Sequence, residues 1–529
     1  MSPTKDEAGL AEHVDITKSD VNRTVDQQDY DLTTLQTIRK YPLSVAWTLF
    51  AIATCLLVSF ENQAGGMVLG IPQFRADFGY EIDGGYVLDA GWQSAFYGGP
   101  IAGAVAGTFG AGYLADKLGR KPIMIGAIIV SYGAIALEFV ATKPAEFFGG
   151  KLINGVVAGV LLTVSVSYVG EVSPSALRGI LTCATGLVMA LGPMIAAVIV
   201  DKTGDSTSRW AYRAIFCSQF AFTGFCTLFA PFMPESPVWL VTVDKPDKAA
   251  RSLTRLGFTG TALEMRLSQI RSLIEEAKHE AEGATFLDCF RRSNLRRTII
   301  SVMPLAIQAL SGVFFVGSYG TYYIQLAGYS VSASFKLQIT QHGLSMLGNI
   351  CSWFLIDRVG RRTLTFWGTF SITAILLVFA GLAAEGSPGA IRGSVGLILI
   401  YNFFYNVSIG ATAYTLLCEV ATSSLRAKTI SIGIALQYVI YGVWAFVIPY
   451  AFNPDQGNLG GKTGFIFGAL GVLCLVYLWF YQPETANLSY EELDELFAKG
   501  VSVRDFDKYR HQARKCGDDV EMEGSPKMG

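Results

Sequence analysis

Apolar runs of about twenty residues alternate with short polar breaks along most of this chain. Twelve runs can be placed, at 44–71, 92–115, 122–141, 147–170, 179–201, 211–231, 297–325, 334–356, 363–384, 391–417, 427–452 and 462–482. Each is long enough, as a helix, to cross the hydrocarbon core of a bilayer. The pattern predicts an all-α membrane protein with twelve transmembrane helices. The longest polar interruption, 232–296, divides the runs into two sets of six. Inside it, Asp247–Leu256 and Met265–His279 show helical periodicity among many charges, predicting short helices outside the membrane. The chain thus divides into an N-terminal tail (1–43), a six-helix half (44–231), a helical linker (232–296), a second six-helix half (297–482) and a C-terminal tail (483–529), in which Tyr490 to Lys499 reads as a helix.

Composition sharpens this picture. Only 16% of residues are charged, against about 25% in a soluble domain, and 51% are hydrophobic. Most of the chain therefore faces something other than water, and a lipid bilayer is its first partner. The net charge of -2 gives no field for nucleic acid. Nine cysteines form no disulfide framework or metal pattern, so no metal or cofactor is expected. The polar start, Met1 to about Lys40, lacks the apolar core of a cleavable signal peptide. Basic residues gather in alternate loops: Lys117, Arg120 and Lys121; Arg251, Arg255, Arg291, Arg292, Arg296 and Arg297; Arg358, Arg361 and Arg362. Their bias places both termini in the cytosol.

The halves echo one another. Gly112-Tyr-Leu-Ala-Asp116-Lys-Leu-Gly119-Arg120-Lys121 recurs as Trp353-Phe-Leu-Ile-Asp357-Arg-Val-Gly360-Arg361-Arg362. Glu171 to Arg178 recurs as Glu419 to Arg426, and Pro234-Glu235-Ser236 as Pro483-Glu484-Thr485. Three motifs in one order at nearly one period imply two halves related by an axis along the membrane normal, with a binding site between them near the midplane. Each half sets acids beside guanidinium groups at helix ends: Asp116, Arg120, Glu171, Arg178 and Glu235, then Asp357, Arg361, Glu419, Arg426 and Glu484. Charge-assisted pairs among them would form a cytosolic gate that latches the halves in the outward-facing state. Anchoring by basic residues alone would explain the cations but not the paired acids.

These motifs, with Pro234-Glu-Ser-Pro-Val-Trp-Leu240, resemble the sugar-porter branch of the major facilitator superfamily from about residue 44 to 495. Val238 and Trp353 depart from the branch's usual Arg and Gly. In the second half, Tyr319 to Gly328, Ser352 to Leu355, Gly360 to Leu364, Tyr405-Asn406 with Ile409-Gly410, Leu425 to Thr429 and Gly461 to Phe465 are similar to fungal α-glucoside (maltose-type) proton symporters.

The resemblance implies a sugar site. Gln308 matches the first of two glutamines in helix 7, Ala309 replaces the second, Phe314 replaces an Asn, and Tyr319 matches the closing aromatic. Gln437 stands where the family carries a sugar-binding Gln, Tyr414 where glucose carriers place a stacking Trp, and Gly186 where hexose carriers have a Gln. Asn406 is a further candidate. Amides suit sugars because they donate and accept without charge. Glu61, an isolated carboxylate deep in helix 1, stands where proton-coupled porters keep an acid, and Lys151 falls where they place its Arg partner. A polar group at membrane depth is a functional candidate by default. A proton-coupled carrier of α-glucosides such as maltose is expected, working by alternating access as a monomer at the plasma membrane. A hexose carrier, proton-coupled or facilitative, and a non-transporting sugar sensor are the alternatives. An enzyme is excluded by the lack of an acid, base and nucleophile gathered in one cavity.

Overall fold

The computed structural model describes residues 34–82, 85–174, 177–281, 285–422, 425–453 and 455–486, with scattered positions between 493 and 506. Half of the expected Tyr490–Lys499 helix lies outside the described residues; positions 493 and 495–497 are helical.

The N-terminal tail ends in α1 (Thr34–Lys40), and the first half contains α2 (Pro42–Leu69), α3 (Pro72–Phe78), a hairpin of β1 (Tyr80–Ile82) and β2 (Gly85–Val87), α4 (Ala90–Leu118), α5 (Arg120–Val140), α6 (Pro144–Val172), α7 (Arg178–Thr203) and α8 (Trp210–Phe229). The linker holds α9 (Pro237–Thr242), α10 (Pro246–Arg255) and α11 (Thr261–Ala281). The second half holds α12 (Arg292–Leu310), α13 (Val313–Leu326), α14 (Val331–Val359), α15 (Arg361–Glu385), α16 (Pro388–Val407), α17 (Ile409–Val420), α18 (Arg426–Phe452) and α19 (Gly464–Tyr481). Among the described residues, ten segments are long and apolar enough to cross a membrane. The two 29-residue helices α4 and α14, richer in small and polar residues, complete the twelve. An even number of crossings returns both ends of the bundle to one face, here the terminal side; the opposite face is the far side.

Two runs read as continuous in sequence are broken. The seventh crossing divides into α12 and α13 at Gly312, whose φ of 90° is left-handed. The tenth divides at Ser408, whose hydroxyl donates to the Phe404 carbonyl at 2.6 Å. Gly368 on α15 leaves the room that Ser408 fills. Sequence periodicity continues through both breaks, so only the backbone reveals them. The short α3 and the hairpin also went unpredicted; they lie on the far side, with Phe74 and Phe78 of α3 buried.

Close helix contact depends on glycine where sequence showed only an apolar run. A Cβ on Gly155 of α6 would lie 2.6 Å from the Pro100 Cα of α4, and one on Gly103 would meet the Leu152 carbonyl at 2.5 Å. The two helices are therefore in backbone contact, the small-residue packing that replaces hydrophobic drive in lipid.

The halves meet at the far side. Tyr97 on α4 donates to the Ser318 carbonyl on α13 at 2.9 Å. Gln325 on α13 donates to the Gly70 carbonyl at 2.7 Å and accepts from Arg75 of α3 at 3.2 Å. Tyr80 of the hairpin donates to Asp455 at 2.7 Å. One continuous core joins Phe74, Phe96 and Phe147 of the first half to Phe315, Tyr319 and Phe452 of the second. These contacts close the far side. A second core, over the terminal side of the first half, draws in Leu253 and Phe258 of the linker region and ties that segment to the bundle.

Candidate functional site

The first half buries a charge cluster. The side chain of Glu146 accepts from the backbone amides of Thr142 and Lys143 at 2.9 and 3.3 Å and fixes the start of α6. Phe147, Lys151 and Asn154 then project from one face of α6, at the i, i+4 and i+7 positions. Lys151 is 1% exposed and donates to Glu61 of α2, itself 4% exposed, at 2.5 Å. The other oxygen of Glu61 accepts from Gln219 of α8 at 2.6 Å. Both oxygens of Glu61 are thus held by donors, the arrangement an ionised carboxylate needs. The Lys151 ammonium also lies 5.1 and 5.7 Å from the ring centroids of Phe216 and Phe147.

A third charge completes the cluster. Glu138 of α5 is fully buried, with Oε2 3.5 Å from the Lys151 ammonium and Oε1 accepting from Asn154 at 3.2 Å. Gly150 admits it: a Cβ there would stand 2.7 Å from Glu138 Cγ. The sequence reading brought Glu61 and Lys151 together but overlooked Glu138 and Gln219. A lone carboxylate inside the apolar run 122–141 was a readable signal. The amide of Gln219 was not, since nothing in its own helix points to Glu61.

The second half gathers an amide and phenol chain. Gln437 of α18 donates to Gln308 of α12 at 2.5 Å and accepts from the Tyr414 hydroxyl of α17 at 3.1 Å. Gln308 reaches the Gly410 carbonyl, just past the Ser408 break, at 3.5 Å. Three of the predicted sugar-site residues are therefore in contact. Phe314, beside the Gly312 break, has its ring centroid 6.0 Å from that of Tyr441 and 5.6 Å from that of Tyr97 in the other half. Tyr319 is fully buried, 5.3 Å from Tyr97 and 5.6 Å from Phe452, so it belongs to the far-side closure. Asn406 stands apart from the glutamines, accepting from Asn349 at 3.2 Å and donating to the Asn402 carbonyl at 2.8 Å. Gly186 on α7 borders open space, with nothing within 4 Å of a Cβ built there.

The expected gate residues form two similar constellations. Arg120 donates to Glu171 at 2.9 Å and lies 3.5 Å from Asp116. Glu235 accepts from the backbone amides of Arg120 and Lys121 at 2.9 and 3.2 Å. In the second half Arg361 donates to Glu419 at 3.2 Å, and Glu484 accepts from the amides of Arg361 and Arg362 at 2.8 and 3.1 Å. Glu235 and Glu484 therefore cap the N-termini of α5 and α15, where a carboxylate meets unpaired amides and the positive end of the helix dipole. Gly119 and Gly360, at φ 101° and 93°, make the preceding turns. In this conformation these bonds link each half to its own following segment and so brace each half internally; the sequence reading has them latch the halves together in the outward-facing state. Arg426 opens α18. The side chains of Arg178 and Asp357 lie outside the described residues.

Two six-helix halves joined at the far side, with a buried charge cluster in one and an amide chain in the other, have the architecture of a major facilitator carrier. Comparison with known proteins makes the class specific. The sugar (and other) transporter family matches residues 47–497, and the chain belongs to that family. It is 28% identical over 489 residues to the general alpha-glucoside permease of Saccharomyces cerevisiae, covering 90% of this chain and 79% of the permease. The alpha-glucosides permease MPH3 of the same yeast is 29% identical over 92% of this chain and 82% of its own. In fold, the chain resembles the inward-open xylose transporter XylE of E. coli, with a TM-score of 0.71 and 19% identity, over 86% of this chain and 99% of XylE. These relatives are permeases, and the protein is a multi-pass membrane sugar porter and not an enzyme.

Proposed function

We propose that the protein is a proton-coupled symporter of α-glucosides such as maltose, working by alternating access at the plasma membrane. The observation that carries the coupling is the Glu61–Lys151 pair, buried in the membrane and bound through both carboxylate oxygens. Such a pair has a use that packing alone does not supply: protonation of Glu61 would release Lys151, and movement of the helices could be tied to that release. The names of the yeast relatives support the α-glucoside assignment. Gln308, Gln437 and Tyr414 hold the sugar in this reading, with Phe314 against its apolar face. The basic loops support a cytosolic location for both termini; in this reading the closed far side is extracellular and this conformation inward-facing. The gate constellations then face the cytosol and are free to pair across the halves in the outward-facing state.

Uptake of radiolabelled maltose, and separately of glucose, into cells lacking their own carriers tests this reading. Maltose accumulation with external alkalinisation, both abolished by an uncoupler, is the expected result. Glu61→Gln is expected to abolish accumulation against a gradient while leaving sugar exchange across the membrane. Glucose uptake without a pH change would instead establish a facilitative hexose carrier.

A further inference from the structure

The cluster holds more acid than its cation can balance. Glu61, Glu138 and Lys151 are each at least 96% buried, and if all three were ionised the site would carry a net charge of -1 away from water. An uncompensated buried charge costs several kcal/mol. One proton shared between the two carboxylates removes that cost, as in other sites where two acids lie near one another.

The two carboxylates differ in how many donors hold them. Glu61 accepts from Lys151 and Gln219, one donor on each oxygen. Among the described residues, Glu138 accepts a well-formed hydrogen bond from the Asn154 amide on Oε1, and no hydrogen-bond partner within good geometry meets its Oε2. That oxygen lies at 3.5 Å from the ammonium, within Coulombic reach but beyond a good hydrogen bond. The groups facing Glu138 from the elements packed around it are few. Glu61 comes from α2, and Lys151 with Asn154 from α6. Arg213 of α8 lies over the neighbouring Phe139 ring at 5.5 Å. The charged residues of α4, Asp116 and Lys117, are at its opposite, terminal-side end.

We propose that Glu138 is a second proton-holding residue of the coupling site, carrying the proton as a neutral acid while Lys151 is paired with Glu61. This rests on reading the cluster as the coupling site. With one proton aboard the cluster is neutral, and when that proton leaves it carries -1. Without Glu138 the remaining Glu61–Lys151 pair is already neutral when empty, and loading would make it +1. A proton therefore binds more readily in the presence of Glu138, and the carrier works nearer neutral pH. When Glu61 is protonated in the cycle, Glu138 ionises and takes over Lys151, so the ammonium is never left unpaired.

The test uses the full-length carrier in proteoliposomes, comparing Glu138→Gln with the wild type. The amide keeps the shape of the neutral acid and can still accept from Asn154, but it cannot ionise. Expected is gradient-driven maltose uptake whose pH of half-maximum is moved to the acid side by about one unit or more relative to the wild type. An unchanged pH profile would overturn the proposal and leave Glu138 a static neutral acid. Infrared spectra give an independent readout should Glu138→Gln not reach the membrane. The wild type should show a protonated-carboxyl band at neutral pH that Glu138→Asp displaces; a missing band, or one that does not move, sinks the idea. The two readings separate cleanly. Accumulation that survives Glu61→Gln defeats the coupling site as a whole, whereas loss in Glu61→Gln with an unchanged Glu138→Gln profile defeats only the role of Glu138.

Discussion

A buried polar side chain is informative in proportion to the partners it requires. Gln437 has two, Gln308 and Tyr414, and it is the middle of a chain that crosses α12, α18 and α17. Its amide presents a donor and an acceptor at once, which suits a hydroxylated solute. Gln437→Ala is expected to raise the KM for maltose about tenfold, near 1.4 kcal/mol, with little change in the maximal rate; initial-rate uptake over a range of maltose concentrations measures it. Much of this site was legible before the structure, because Glu61 and Gln437 are polar residues isolated in apolar runs. What sequence did not supply was the company they keep. Gln219 reads as an ordinary helix polar residue until α8 is set against α2, and Glu138 acquires a charge-balancing role only once Gly150 brings α5 onto α6. Asn406, whose place in a motif suggested sugar contact, is bonded in this conformation to Asn349 and Asn402.

Helices were the most legible level, since an apolar run of about twenty residues has few other meanings in a chain so short of charge. Their interruptions were hidden, because Gly312 and Ser408 are as compatible with an apolar run as any small residue. Both breaks adjoin the amide chain: Phe314 follows the first by two residues, and Gly410 follows the second by two. Non-helical backbone at membrane depth is tolerated where protein surrounds it or a cavity adjoins it, so these crossings can bend where a solute would sit. The contact between α4 and α6 is the opposite case, a rigid seam. Gly155→Ala would press a methyl group on the backbone of Pro100, and a loss of about 1–3 kcal/mol is expected. A lowered apparent melting temperature of the purified carrier, followed by dye binding, checks this against Gly126→Ala, where a Cβ meets nothing within 4 Å.

The molecule as a whole is held shut at its far side by a short set of polar contacts over an aromatic core. Tyr80 is the outermost, and its hydrogen bond to Asp455 pushes the phenol from 10.0 up to about 12. A raised value means the contact is fully present below the ordinary tyrosine range and lost as pH climbs through about 12, so the closure keeps this donor at any pH a cell meets. Tyr80→Phe removes the bond without the ring and is expected to shift the balance toward the far-side-open state about twofold, near 0.5 kcal/mol. Alkylation rates of a cysteine introduced along the far half of α13 would report the shift. The two least apolar crossings bear on how such a molecule is made. Both α4 and α14 fall outside the ten segments that length and composition alone would send into a bilayer. During synthesis neither should leave the translocation channel for lipid unaided, and each depends on a neighbour to shelter its small and polar residues. For α4 the glycine seam with α6 belongs to a helix not yet synthesised when α4 emerges. The first half should therefore enter the membrane as a group rather than one helix at a time, and a chain ending soon after α4 should be retained or degraded rather than correctly inserted.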